Sequence, residues 1–306
     1  MIADLAIFLG VLALLVLAHE FGHFLFARKF GVNVEEFGFG FPPRLGGIRK
    51  GGTLYSFNLL PLGGFVKITG EDSASGEAGE AMDPKNFASK PIIARAAILA
   101  AGIGFNLLLA YALFAVALGI GVPVLYDDPA WEGHITKPQI IAVAIQPDSA
   151  AERAGLKLGD AVVELSISGE EPFRDISIQS VQAFMQQHRG ADVVIEVLRD
   201  GEAMTLNAHL PDTAAPGEGI LGIAMETVGR VDVPWWSVPW YAFRLTASTF
   251  TETAHGISAL IGRAVSGESV RGMISGPVGI FSIVANTADF GFAYFLTLIA
   301  ILSVNL

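Results

Sequence analysis

From Ala96 to Val122 the chain runs for 27 residues without a charged side chain. A helix of that length rises about 40 Å, more than the roughly 30 Å of hydrocarbon in a bilayer. The segment therefore reads as a membrane span. Two more segments share its character. Leu5 to Leu17 is uncharged, and the apolar run continues to Ala27 before Arg28 and Lys29. Phe290 to Leu306 is 17 uncharged residues rich in Leu, Ile and Ala. A cleavable signal peptide is the competing reading of the first segment, but Met1-Ile-Ala-Asp4 lacks a positive n-region and a polar His-Glu pair follows. Composition agrees with a membrane protein: 52% of the 306 residues are apolar, 16% are charged and the mean hydropathy is +0.53. Soluble domains average about 25% charged residues. The chain has no cysteine, so any metal must be held by His, Asp or Glu.

Charge orients the spans. Nine Lys/Arg face seven Asp/Glu between Arg28 and Arg95, whereas Gly121 to Pro234 holds seven Lys/Arg against eighteen Asp/Glu. Basic residues stay on the cytoplasmic side, which places the first loop inside and both the acidic region and the N-terminus outside. No basic patch is large enough for nucleic acid. Within the acidic region, Ile140–Ile145, Ala161–Leu165, Val193–Leu198 and Ala203–Ala208 are short strand-forming runs separated by Gly, Pro and Asp turns, and Ile178–His188 predicts a helix. Together they describe a compact domain of about 100 residues. After it, Trp235, Trp236, Trp240 and Tyr241 cluster as an interfacial aromatic belt does. A helical stretch follows to about Val265. It is interrupted by Arg244, Glu252, His255 and Arg263, which favours an amphipathic helix on the outer face over a span.

The residues that carry chemistry lie inside the first span. His19-Glu20-Phe21-Gly22-His23 puts two imidazoles four positions apart on one helix face, suited to a single zinc ion, with Glu20 beside them as a candidate general base. Three ionisable side chains in five intramembrane positions demand compensating partners. Two other readings of the residues stand beside zinc: a polar patch satisfied by helix–helix hydrogen bonds, and the proton relay of a transporter. Further along, Tyr55 to Lys67 alternates strand formers around Pro61 and a Gly63-Gly64 turn, and is too apolar for a loop left in water. A hairpin tucked against the helices is tolerable where protein or an aqueous cavity satisfies its backbone.

The His19–Phe24 motif resembles the zinc motif of the site-2 protease family of intramembrane zinc metalloproteases. The resemblance extends along almost the whole chain. Gly38–Pro43 and Tyr55–Lys67 resemble that family's membrane re-entrant β-hairpin, whose edge is thought to receive an extended substrate segment. Ala101–Asn106 resembles its Ala-Gly-Pro-x-x-Asn motif, with Ile103 where Pro is usual. Gly102 and Gly104 let two helices approach, and Asn106 is placed to hydrogen-bond near the metal or to substrate backbone, or to act as a polar packing residue. Pro147–Asp160 is similar to the signature of a PDZ domain, and Gly219, Ile220, Leu221, Gly222 and Ile223 to the loop whose amides receive a peptide carboxylate.

The resemblance implies an α-helical polytopic membrane protein with a re-entrant β-hairpin and an inserted extracytoplasmic PDZ (α+β) domain. Its expected parts are a first transmembrane helix (1–29), a cytoplasmic loop (30–95) with the hairpin at about 51–70, a second transmembrane helix (96–122), the PDZ domain (123–230), an interfacial helical region (231–289) and the start of a third transmembrane helix (290–306). It implies one Zn2+ held by His19 and His23, Glu20 as catalytic base, and Asn106, Gly63 and Gly64 as substrate-positioning residues. The third ligand in the family is an Asp in a Leu-Asp-Gly motif, which is expected beyond Leu306, so the chain is expected to stop short of it and to be inactive as it stands. Asp289 is set at the outer end of the third span, away from the depth of the histidines. The implied activity is regulated intramembrane proteolysis of single-pass membrane proteins, such as anti-sigma factors or signal-peptide remnants, after their ectodomains are trimmed. The expected setting is the bacterial inner membrane, with membrane lipid and the transmembrane segments of substrates as partners. The alternative is a non-catalytic membrane receptor whose PDZ domain captures peptide C-termini.

Overall fold

The structure is a computed structural model that describes residues 2–71, 83–126, 131, 133–167, 169–174, 177–199, 201–213, 219–266, 279, 281, 284 and 291–306. Asp289 and Phe290 lie outside the described residues. The chain divides into two units, one formed by Met1–Val116, Pro239–Ala285 and Leu296–Leu306, the other by Ala117–Val238 and Asn286–Phe295.

The first unit is built on two long apolar helices, α1 (Ile2–Lys29) and α2 (Ile92–Ile120). Both are long and apolar enough to cross a membrane. They contain no proline and end where the sequence provides a stop: Arg28 and Lys29 close α1, and Gly121, with φ of 97°, closes α2. They run antiparallel at their closest approach, since His19 meets Asn106 while His23 meets Ile98. Between them in sequence lies an antiparallel hairpin, β1 (Val34–Lys50) and β2 (Thr53–Ile68).

This hairpin is longer than the expected 51–70 and turns elsewhere. Lys50 pairs with Thr53 across Gly51 and Gly52, whose φ angles of 60° and 87° suit the two-residue turn that matches strand twist. Gly63 and Gly64 are not a turn but interior positions of β2. A Cβ on Gly63 would lie 3.0 Å from Val16, and one on Gly64 would lie 2.8 Å from Gly38 O and 3.0 Å from Leu17. The absence of side chains is what lets the strand lie on α1 one turn before His19. The register slips midway, and there the buried Asn58 donates to Gly40 O (3.1 Å) and Ser56 Oγ (3.3 Å), satisfying groups that the irregular ladder leaves open. At the open end, Phe24, Val34, Ile68 and Ile98 are buried together, with Phe37 and Tyr55 packed against them. Lys67 pairs with Glu35 at 2.8 Å beside them, and that hydrogen bond holds the Glu35 carboxyl below the ordinary carboxylate value.

Two further helices belong in part to this unit, α5 (Val238–Val265) and α6 (Phe292–Asn305). The helix expected to end near Val265 is thus α5. Thr253 Oγ1 on α5 donates to Asn305 Oδ1 on α6 at 2.7 Å.

The second unit holds a six-stranded antiparallel sheet. Its strands are β3 (Pro123–Leu125), β4 (Ile135–Ile145), β5 (Ala161–Ile167), β6 (Asp192–Arg199), β7 (Glu202–His209) and β8 (Ile223–Val231), in the order β3-β8-β4-β5-β6-β7. Two short helices complete it, α3 (Ala150–Arg153) and α4 (Ile178–Gln187). Ser177 and Ser180 form a capping box at the start of α4, whose Val181, Phe184 and Met185 face the core beside Leu165, Ile195 and Leu221. The strand β8 was not among the expected runs. Glu226, Gly229 and Arg230 break its apolar alternation, and it is held by pairing with β4 and β3 rather than by its own pattern.

Asp160 closes the Pro147–Asp160 signature. Its side chain is fully buried, accepting from Arg199 Nε (2.7 Å), Arg199 Nη2 (2.6 Å) and Lys157 N–H (2.8 Å), while Arg199 Nη2 also reaches Gly155 O. The motif thus fixes a turn and ties it to the end of β6. Replacing Asp160 with Ala leaves the Arg199 guanidinium without its buried partner, and should destabilise this unit by about 3–5 kcal/mol. Differential scanning fluorimetry and limited proteolysis of the purified protein check this, and an unshifted unfolding transition would contradict it.

Candidate active site

His19, Glu20 and His23 sit in one helical turn of α1, because a spacing of four residues returns to the same face. What α2 presents opposite them explains the arrangement. Gly22 faces Ala101 so closely that a Cβ there would lie 2.4 Å from Ala101 O. A Cβ on Gly102 would lie 2.5 Å from His23 Nε2 and 2.6 Å from His19 Nε2. Both imidazole Nε2 atoms therefore converge on one point over Gly102, and the missing side chain leaves that point open. The rings stand edge to face with centroids 4.8 Å apart. Gly104, also expected to permit close approach, has nothing within 4 Å of its Cβ position. Only Gly102 of the pair lies at the crossing.

The Nδ1 atoms are also held by α2, one turn to either side of Gly102. His23 Nδ1 donates to Ile98 O at 2.8 Å, and His19 Nδ1 lies 3.2 Å from the Asn106 carboxamide. Holding a histidine through Nδ1 leaves Nε2 to bind a metal, an arrangement typical of zinc sites. Convergence of two nitrogen donors on an open, half-buried point fits zinc, for which the Zn–N distance is about 2.0–2.1 Å. Among the described residues no group of three or more His, Cys, Asp or Glu side chains is placed to hold a metal, so a third ligand is not among them.

Glu20 lies between the two histidines in sequence, and the hairpin holds it. Val66 N–H of β2 donates to Glu20 Oε2 at 3.0 Å. Gly63 and Gly64 belong to the same strand and pack on Val16 and Leu17, so β2 runs along the helix that carries all three polar residues. Sequence reasoning did not single out Gly22, the Ile98 carbonyl or the Val66 amide. Gly22 was legible in principle as a small residue facing Gly102, whereas backbone partners carry no sequence signal.

The carboxylate loop expected at Gly219–Ile223 lies in the second unit. Gly222 N–H closes on Gly219 O, while Leu221 O and Gly222 O accept from Ala151 N–H and Gln146 N–H. The loop borders a groove walled by Gln179, Gln182 and Gln186 of α4 and by Met225 of β8.

The model of peptidase family M50 matches residues 7–306, and the chain belongs to that family, the site-2 proteases. A protein of Nostoc sp. named as a zinc metalloprotease is 31% identical over 308 residues, covering 97% of this chain and 79% of the relative. A similarly named protein of Fusobacterium nucleatum is 29% identical, covering 97% of this chain and 80% of its own. Protease RseP of Yersinia pestis is 26% identical over 408 residues, covering 99% of this chain and 85% of its own. The protein is accordingly a membrane zinc metalloprotease.

Gly102→Ala should therefore displace the imidazoles and strip the site of zinc, whereas Gly104→Ala should leave it loaded. Zinc content after dialysis against a weak chelator separates the two. Equal zinc in both variants would contradict the convergence over Gly102.

Proposed function

We propose that the protein is an intramembrane zinc metalloendopeptidase that cleaves single-pass membrane proteins after their ectodomains have been trimmed, the second cut of regulated intramembrane proteolysis. The observation that carries the reading is the convergence of His19 and His23 on the space over Gly102, beside Glu20, on a 28-residue apolar helix. His19 and His23 are two of the metal ligands, and an acidic third ligand comes from outside the described residues. When bound, zinc supplies Lewis acidity to the scissile carbonyl. Glu20 takes the proton of the attacking water on its carboxylate and returns it to the departing amine. The Val66 N–H bond keeps that carboxylate turned toward the site.

A peptide bond in a membrane helix is closed to attack until the helix unwinds, since its backbone polar groups have no other partner in hydrocarbon. The hairpin supplies one by strand addition: an unwound substrate segment pairs with its edge beside α1, where Gly63 and Gly64 keep the strand close to the metal ligands. We infer that the second unit is a PDZ domain on the extracytoplasmic side of the bacterial cytoplasmic membrane. This orientation rests on the basic first loop and the acidic region that follows α2. No Lys or Arg lies within Gly219–Ile223, and the excess of acidic residues disfavours an anionic peptide terminus. The domain thus selects more by bulk than by tight carboxylate capture. A receptor without catalysis is the less favoured reading, because it gives no reason for two imidazoles to share one open point.

Glu20→Gln removes the base but keeps both imidazoles and the hydrogen bond from Val66. In the full-length protein, which carries the third ligand, it should lower cleavage of a model transmembrane substrate by at least about a hundredfold while zinc content stays at the wild-type level. Cleavage near the wild-type rate in this variant would overturn the assignment of Glu20.

A further inference from the structure

Ile98, Gly102 and Asn106 follow one another at intervals of four along α2, so they share a face, and that face meets His23, the open point and His19 in turn. The two histidines are held at their Nδ1 atoms by different chemistry. Ile98 O can only accept, so the proton of the His23 ring sits on Nδ1 and its Nε2 carries the lone pair. Asn106 offers either an acceptor or a donor, and only 1% of it is exposed. With its Nδ2 toward His19, Nδ1 must be the bare nitrogen and the proton lies on Nε2, aimed at the same space as His23 Nε2. In that orientation Asn106 Oδ1 is buried with no hydrogen-bond partner among the described residues. The carboxamide is nearly symmetric in shape, so hydrogen bonding decides which end faces the ring. Turned about, Oδ1 accepts the Nδ1 proton of His19, and both Nε2 lone pairs point to the space over Gly102. The position is braced from a third helix, where buried Ser303 donates through Oγ to the Asn106 carbonyl at 2.8 Å.

We propose that Asn106 is a positioning residue of the zinc site: its Oδ1 accepts the Nδ1 proton of His19 and fixes the tautomer and orientation in which Nε2 can bind the metal. This differs from the substrate-positioning role expected of Asn106, and it rests on His19 and His23 being ligands. Asn106 acts on the metal through His19 and touches no substrate. Its counterpart for His23 is the Ile98 carbonyl, which no side-chain substitution can remove. Asn106 is therefore the point at which the polarity of the ligand pair is set by a side chain.

Three substitutions separate the possibilities. Asn106→Leu keeps the bulk and removes the acceptor, while Asn106→Asp keeps an acceptor oxygen. His19→Ala removes the ligand itself. The readout is Co2+ titration of the metal-free protein in detergent, following the visible d–d absorption and its dissociation constant, with circular dichroism to confirm folding. Asn106→Leu should weaken Co2+ binding about 10–100-fold, the usual cost of losing an outer-shell partner of a ligating histidine, and alter the d–d bands. Asn106→Asp should bind at least as tightly as the wild type. If Asn106→Leu does not fold, Asn106→Ala carries the comparison.

Unchanged Co2+ affinity and spectrum in Asn106→Leu, with a raised KM for cleavage, would overturn the proposal in favour of a substrate contact. Asn106→Asp as weak as Asn106→Leu would overturn it in favour of the donor orientation. If His19→Ala also binds Co2+ as the wild type does, the ligand assignment itself fails. Loss in His19→Ala without loss in Asn106→Leu would reject the positioning role alone.

Discussion

The site depends on one close approach between two helices in a setting where apolar side chains gain nothing by leaving lipid. In hydrocarbon, helix pairs associate through close packing and hydrogen bonds, which small residues make possible. Gly22 and Gly102 supply this here: a Cβ on either would collide with the facing helix or its side chains. Because α1 and α2 meet at that point, the carbonyl of Ile98 and the carboxamide of Asn106 reach the two rings. The same approach satisfies the two imidazoles, and the hairpin the Glu20 carboxylate, so that three ionisable residues are tolerable in an apolar helix. Glycine thus serves the packing and the chemistry together.

The hairpin adds a constraint of its own. Its ladder satisfies the backbone of a strand pair too apolar for water, and Gly63 and Gly64 bring that pair onto α1. The Val66 amide then fixes Glu20, which joins the strand and the two histidines in one small volume. A carboxylate held by backbone tolerates many side chains at residue 66, so substitution there should be read through strand geometry rather than side-chain chemistry.

Much of this was legible in the sequence. A charge-free run of 27 residues and a His-x-x-x-His spacing inside an apolar helix each follow from local physics, and both are where they were expected. The hairpin turn was misplaced because three Gly-Gly pairs compete. Gly46-Gly47 lies within β1, Gly51-Gly52 sits between polar residues at the turn, and Gly63-Gly64 falls where the strand must lie flat on a helix, and only the tertiary contacts distinguish them. Strand β8 escaped for a similar reason, since neighbours rather than alternation hold it. The spacing Gly102-x-x-x-Asn106 showed a polar residue one turn from a small one, but not which ring it would meet. That depends on the antiparallel register of α1 and α2, which lies in no single segment.

Zinc K-edge X-ray absorption of the purified protein tests the central claim most directly. The account predicts two imidazole scatterers with Zn–N near 2.0–2.1 Å and oxygen completing the shell. It also predicts that one imidazole disappears in each of His19→Ala and His23→Ala. A spectrum without paired imidazole scattering, or one that neither substitution alters, would show that the metal is held elsewhere and contradict the account.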